Sequence, residues 1–244
     1  MWYIDLSVSR IGTADDRYSN NGEDFGNQVP LQWNIAVHPN QSGRIAINYP
    51  GVGGSIDGYA DKYLKLANLI QEKNIAAVVR TGNHPWAGFQ YEKSLVDDLR
   101  TVIDYSLEAS KDICGSKEPE LYLMGFSAGA SAVAAIAHEF EKVSRILLLA
   151  PSGDAGDSIV NLGKYKGDVY ITVGENDEIV GQEAGLFFYD MATGAKSRKL
   201  VIVPNCDHQF RGEINGMIMS KAPLWAFAGD KTFPNPECGI KLYD

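Results

Sequence analysis

The chain has 244 residues, 22 of them basic and 31 acidic, for a formal net charge of −9. At about 150 residues per domain this length makes one or two domains, and a single domain of the size buries roughly three-quarters of its unfolded surface with no disulfide or metal required. The acidic balance argues against a nucleic-acid backbone or an anionic membrane as the main partner, and the longest apolar run, Ala132 to Ala137, is far short of the ~20 residues of a membrane helix.

Two early segments alternate with period two: Trp2, Ile4, Leu6 and Val8 share one face, and Leu31, Trp33, Ile35 and Val37 another. They predict half-buried antiparallel strands at a sheet edge, joined by a long polar loop from Ile11 to Pro30. Six short continuous apolar runs follow: Arg44 to Tyr49, Ile75 to Val79, Leu121 to Met124, Arg145 to Ala150, Val169 to Val173 and Lys199 to Val203. Each predicts a strand buried on both faces. Between them, Ile56, Tyr59, Tyr63, Leu66 and Ile70, then Leu95, Leu99, Val102, Ile103 and Leu107, recur at helical steps. Alternating strands and helices imply right-handed crossovers and helices on both faces. With no repeat or linker visible, residues 1–244 read as one α/β domain with an eight-stranded, mostly parallel sheet.

Ligands of an open parallel sheet bind beyond the carboxyl ends of its strands, so the loops there are the place to look for chemistry. Gly125-Phe126-Ser127-Ala128-Gly129 follows a predicted strand and opens an alanine-rich helix. A sharp strand-to-helix turn strains its middle residue and lifts the Ser127 hydroxyl above the sheet, where it is the candidate nucleophile. A serine hydroxyl needs a base held by a third group. Of four histidines, His138 falls within the helix after Ser127 and His38 reads as a turn residue before Pro39. His208 follows the last core strand and is the candidate base. The loop after Val169 to Val173 supplies Asp177 as the candidate acid, with Glu175 and Glu178 as neighbours and Asp154 as the other topological choice. For the oxyanion that forms during acyl transfer, the backbone N–H of Ala128 is one candidate donor. The glycine-rich loop Tyr49-Pro50-Gly51-Val52-Gly53-Gly54-Ser55 offers that of Val52, with Gly51 and Gly53 beside it.

These segments, with Cys206-Asp207-His208-Gln209-Phe210, resemble the α/β-hydrolase superfamily over nearly the whole chain. The likeness is to its small esterase, thioesterase and dienelactone-hydrolase-like members. It implies an α/β-hydrolase fold with antiparallel N-terminal edge strands and no sizeable lid, since only Pro151 to Gly167 could hold one. The family often places His-Gly where this chain has Pro50-Gly51.

The expected function is a serine-dependent hydrolase that cleaves a carboxylic ester or thioester through an acyl-enzyme. Acyl transfer by the same residues and a non-catalytic ligand-binding role stay open. Tyr49, His84 and Trp86 are candidate substrate contacts. The loop from Thr81 to Tyr91 and the aromatic tail from Pro223 to Cys238 could cover the site or simply pack on the core. Gly51-x-Gly53-x-x-Ile56 lacks the third glycine of a dinucleotide loop, and Lys142 stands where a zinc-protease helix after His138-Glu139 needs its second histidine. No metal and no cofactor are expected. Cys114, Cys206 and Cys238 have no framework spacing and read as reduced thiols of a cytoplasmic protein. No secretory signal is visible at the N-terminus. The expected partner is a small-molecule acyl substrate, not a nucleic acid or a membrane. Oligomeric state is not legible.

Overall fold

The alternating N-terminal segments become strands β1 (Trp2–Arg10) and β2 (Val29–His38), antiparallel to each other, with Trp2 opposite Val37 and Arg10 opposite Val29. The structure, a computed structural model, describes residues 1–10, 29–82, 92–153 and 157–244. The six apolar runs form β3 (Arg44–Tyr49), β4 (Ala77–Thr81), β5 (Glu120–Phe126), β6 (Val143–Leu149), β7 (Asp168–Gly174) and β8 (Ser197–Val203). They pair parallel, and one nine-stranded sheet runs in the order β1-β2-β4-β3-β5-β6-β7-β8-β9. The expectation of eight strands was one short. The ninth, β9 (Lys241–Tyr243), is three exposed residues antiparallel to β8, with no apolar run to announce it.

Side-chain alternation divides the core between the two faces. Ile45, Ile47, Tyr49, Leu121 and Leu123 pack on one side against α2 (Glu92–Glu108), α4 (Ala128–Ile136) and α6 (Gln182–Met191). Ala46, Tyr122, Met124 and Phe126 face α1 (Lys62–Glu72) and α8 (Ile218–Ala228) on the other. Every residue of α4 is buried, and its alanines let the helix lie close to the sheet. Short helices α3 (Ser110–Cys114), α5 (Ser158–Leu162) and α7 (Glu213–Gly216) complete the fold.

Two local expectations change, and one open choice is decided. Ile56 is not helical and Tyr59 opens a separate one-turn 3₁₀ segment: α1 starts only at Lys62, after Ala60 and Asp61 adopt positive φ, and Tyr59 is exposed. Pro223 lies inside α8, and the aromatic tail packs on the core instead of covering the site. Trp225 meets Tyr170 edge-on at 4.8 Å and Phe233 at 5.6 Å, while Phe227 stacks on Tyr122 at 5.0 Å. His38 is no turn residue. It ends β2 opposite Val78 and is buried, with its Nε2 accepting from Arg80 Nε at 3.0 Å.

That histidine gives the fold an acid sensitivity. Burial, then the Arg80 guanidinium and the N-terminal ammonium, push its pKa from 6.5 down to about 4, against a smaller upward pull from Asp57. The unfolded chain binds the proton near pH 6.5 and the folded chain only near 4. Stability is therefore full above pH 6.5 and falls as the pH drops through this window, by up to about 3 kcal/mol. Urea midpoints at pH 7 and pH 5 check this: His38→Gln should flatten the loss, and equal losses in both proteins would refute it.

Candidate active site

β5 ends at Phe126 and α4 begins at Ala128, so Ser127 alone turns the chain. Its φ of 54° and ψ of −125° lie where only glycine is comfortable. The surroundings hold it there. Its N–H donates to the Leu149 carbonyl at 2.8 Å, and its own carbonyl accepts from Ala130 and Ser131. The flanking glycines are required by contact. A Cβ on Gly125 would lie 2.4 Å from the Gly129 carbonyl oxygen, and one on Gly129 would lie 2.3 Å from that of Pro50. Gly129→Ala should cost roughly 3 kcal/mol or more of stability. Urea unfolding measures it, and a loss under 1 kcal/mol would mean that the loop simply moves aside.

The loop after β7 is stitched to the loop after β8. Glu175 N–H donates to the Val203 carbonyl at 2.8 Å and Asn176 N–H to that of Cys206 at 2.9 Å. Gly174 permits this approach, since a Cβ there would sit 2.2 Å from the Cys206 carbonyl oxygen. The stitching brings Asp177 to His208. Asp177 Oδ2 stands 2.8 Å from His208 Nδ1, and His208 Nε2 stands 3.1 Å from Ser127 Oγ. The other carboxylate oxygen, Oδ1, accepts the N–H groups of Ile179 at 3.0 Å and Val180 at 2.9 Å. With the proton on Nδ1, the imidazole donates to Asp177 and accepts from the Ser127 hydroxyl. Both Asp177 and His208 are buried.

The neighbouring acids are engaged elsewhere. Glu175 pairs with Lys241 at 3.0 Å, Asp207 accepts from the Arg211 N–H at 2.8 Å, and Glu178 accepts the backbone N–H of His208 at 3.4 Å. His138 lies in a one-turn 3₁₀ segment after α4 rather than in the helix itself. Asp154, His84 and Trp86 lie outside the described residues. Burial, with the carboxylates of Asp207 and Asp177, pushes the Cys206 thiol up to about 12, which makes it a poor nucleophile.

The glycine-rich loop lies directly on the elbow: a Cβ on Gly51 would stand 3.0 Å from Ser127 Cβ. Neither the Val52 nor the Ala128 N–H donates to a backbone carbonyl among the described residues. Tyr49 is a correction. It shares the face of Ile45 and Ile47, is fully buried, and donates its hydroxyl to the Leu95 carbonyl at 2.9 Å, so its side chain belongs to the core and not to a substrate pocket.

Three residues that frame the site gave no signal in the sequence beyond their type. Phe126 packs its ring 5.2 Å from that of His208. Lys62, the first residue of α1, places its ammonium 4.5 Å from the centre of the Phe126 ring. Arg80, fully buried in β4, donates to the Ile56 carbonyl at 2.9 Å and to Asp57 Oδ1, tying down the return of the glycine-rich loop.

No protein-family profile and no curated protein sequence matches the chain. Solved structures do. Est1E from Butyrivibrio proteoclasticus with bound ferulic acid is 18% identical, over 81% of this chain and 96% of that one, with a TM-score of 0.62. A dienelactone hydrolase from Anabaena variabilis is 17% identical over 92% and 99%, with a TM-score of 0.64. An α/β serine hydrolase homologue from Coxiella burnetii is 19% identical over 78% and 91%, with a TM-score of 0.60. The chain has the α/β-hydrolase fold. Within that fold, Ser127, Asp177 and His208 occupy loops after β5, β7 and β8 at one sheet edge. No helix of the described residues is long and apolar enough to cross a membrane. Among the same residues, no cluster of three or more His, Cys, Asp or Glu side chains could hold a metal ion.

Proposed function

We propose that the protein hydrolyses a carboxylic ester or thioester through an acyl-enzyme on Ser127, residues 1–244 acting as one domain. One observation carries this reading: the unbroken hydrogen-bonded chain from Ser127 Oγ through His208 to Asp177, at 3.1 and 2.8 Å. The esterases, dienelactone hydrolase and monoacylglycerol lipase of similar fold lend it support.

His208 Nε2 takes the hydroxyl proton as Ser127 Oγ bonds to the carbonyl carbon, and the π pair moves onto oxygen. The oxyanion faces the N–H groups of Ala128 and Val52, each worth about 3–4 kcal/mol in the transition state. Collapse restores the carbonyl and breaks the bond to the alkoxide or thiolate, which leaves with the proton from His208. Water then gives a proton to His208 and attacks the acyl carbon. Ser127 departs reprotonated, and the carboxylic acid is released. Asp177 stabilises the imidazolium in both halves.

A fluorophosphonate probe followed by peptide mass mapping tests the assignment. One adduct per chain, on Ser127, is the expected result, together with a burst of p-nitrophenol from a p-nitrophenyl ester. Folded protein that takes no label, or takes it elsewhere, would refute it.

A further inference from the structure

A groove of about 1240 Å³ opens between α1 and the segment that runs from Gln209, the residue after His208, through α7 into α8. Its walls are largely apolar, from Leu66, Phe210, Met217 and Met219, and Lys62 is part of the lining. The Lys62 ammonium lies over two aromatic rings, 4.5 Å from the centre of Phe126 and 5.0 Å from that of Tyr63. Phe126 directly precedes Ser127 and also packs on the His208 ring, so a single ring separates this cation from the reacting groups.

The other basic side chains of the groove are occupied: Arg211 pairs with Asp207 at 3.4 Å, and Lys65 donates to the Ala60 carbonyl at 2.8 Å. Lys62 makes no ion pair or hydrogen bond among the described residues, and the groove's own carboxylates, Glu72 and Glu213, form none with it. Burial alone pushes its pKa below the usual lysine range. A half-buried ammonium held by ring faces, with no counter-ion among the described residues, has lost solvation that an anion would replace.

We propose that Lys62 recognises an ionised carboxylate on the substrate, so that the enzyme selects esters or thioesters bearing a second, anionic group remote from the scissile carbonyl. The inference rests on the ester-hydrolase function above. The Phe126 ring lies between the two groups, so the spacer passes along it and its length fixes which carbonyls reach Ser127. Lysine suits this task as a point charge on a flexible stem, and arginine supplies the same sign from a similar reach.

The test compares kcat/KM within two matched pairs of esters. Mono-4-nitrophenyl adipate and 4-nitrophenyl hexanoate differ by a carboxylate on the acyl side; 4-acetoxybenzoate and 4-acetoxybenzamide differ by one on the leaving group. In at least one pair the wild type should favour the anion by about 10- to 100-fold, the worth of one hydrogen bond to a charged group. Lys62→Met and Lys62→Gln should bring that ratio to one or below, and Lys62→Arg should retain most of it. A wild-type ratio at or below one in both pairs overturns the proposal, even with neutral esters turning over and Ser127 labelled normally. So does a ratio that survives in Lys62→Met and Lys62→Gln. Absence of both turnover and Ser127 labelling in folded wild-type protein would instead remove the hydrolase function, and this specificity with it.

Discussion

Ser127→Ala should lower ester turnover by about 10⁴- to 10⁶-fold and abolish fluorophosphonate labelling, while the protein stays folded. In the proposed function the hydroxyl oxygen bonds to the substrate, and among the described residues no second nucleophile stands near His208. Asp177 faces the other side of the ring, and the Cys206 thiol is held neutral. The remaining activity would come from oxyanion stabilisation and binding alone. The same position should also reveal the cost of its backbone. Ser127→Gly removes the same hydroxyl but, unlike alanine, accepts φ 54° and ψ −125° without a Cβ clash. The glycine variant should thus be more stable than the alanine variant by roughly 1 kcal/mol or more. Urea unfolding of the two inactive proteins gives the answer, and equal midpoints would mean that no strain is stored at the elbow.

Asp177→Asn should reduce kcat/KM by about 10⁴-fold, through the tautomer of its neighbour. Oδ1 accepts two backbone N–H groups, from Ile179 and Val180. An asparagine must keep its oxygen there, which turns its NH₂ group toward His208 Nδ1. That nitrogen must then accept, so the ring proton moves to Nε2 and faces the Ser127 hydroxyl. A histidine that presents a proton to the nucleophile cannot take one from it. Steady-state kinetics beside a far-ultraviolet circular dichroism spectrum separates this from misfolding. A loss below tenfold in folded protein would show that Asp177 does not set the tautomer.

The parallel core was legible because strands buried on both faces spell continuous apolar runs, as Arg44 to Tyr49 does. The meeting of Ser127, Asp177 and His208 followed from topology: all three come directly after parallel strands, and the carboxyl ends of such strands share one edge. What escaped depends on facing and on distant contacts. Tyr49 stands at the mouth of the glycine-rich loop in sequence, yet strand parity sends its ring inward with Ile45 and Ile47. Ile56 and Tyr59 fit a helical period that the chain breaks with left-handed Ala60 and Asp61. His38 beside Pro39 looks like a turn, and only its pairing with β4 shows that Arg80 needs it as a partner. Lys62 is one of many lysines until Phe126, distant in sequence, arrives beneath it.

The final strand bears on how these molecules behave toward one another. A sheet that stops at a long bare strand offers its unpaired amides and carbonyls as a template for another chain. Here β8 is covered along Leu200 to Ile202 by Lys241 to Tyr243. The strand that lies outermost there is therefore only three residues long, with the Lys241 ammonium held by Glu175 across it. So short and charged a border gives an incoming strand little to zip onto on that side.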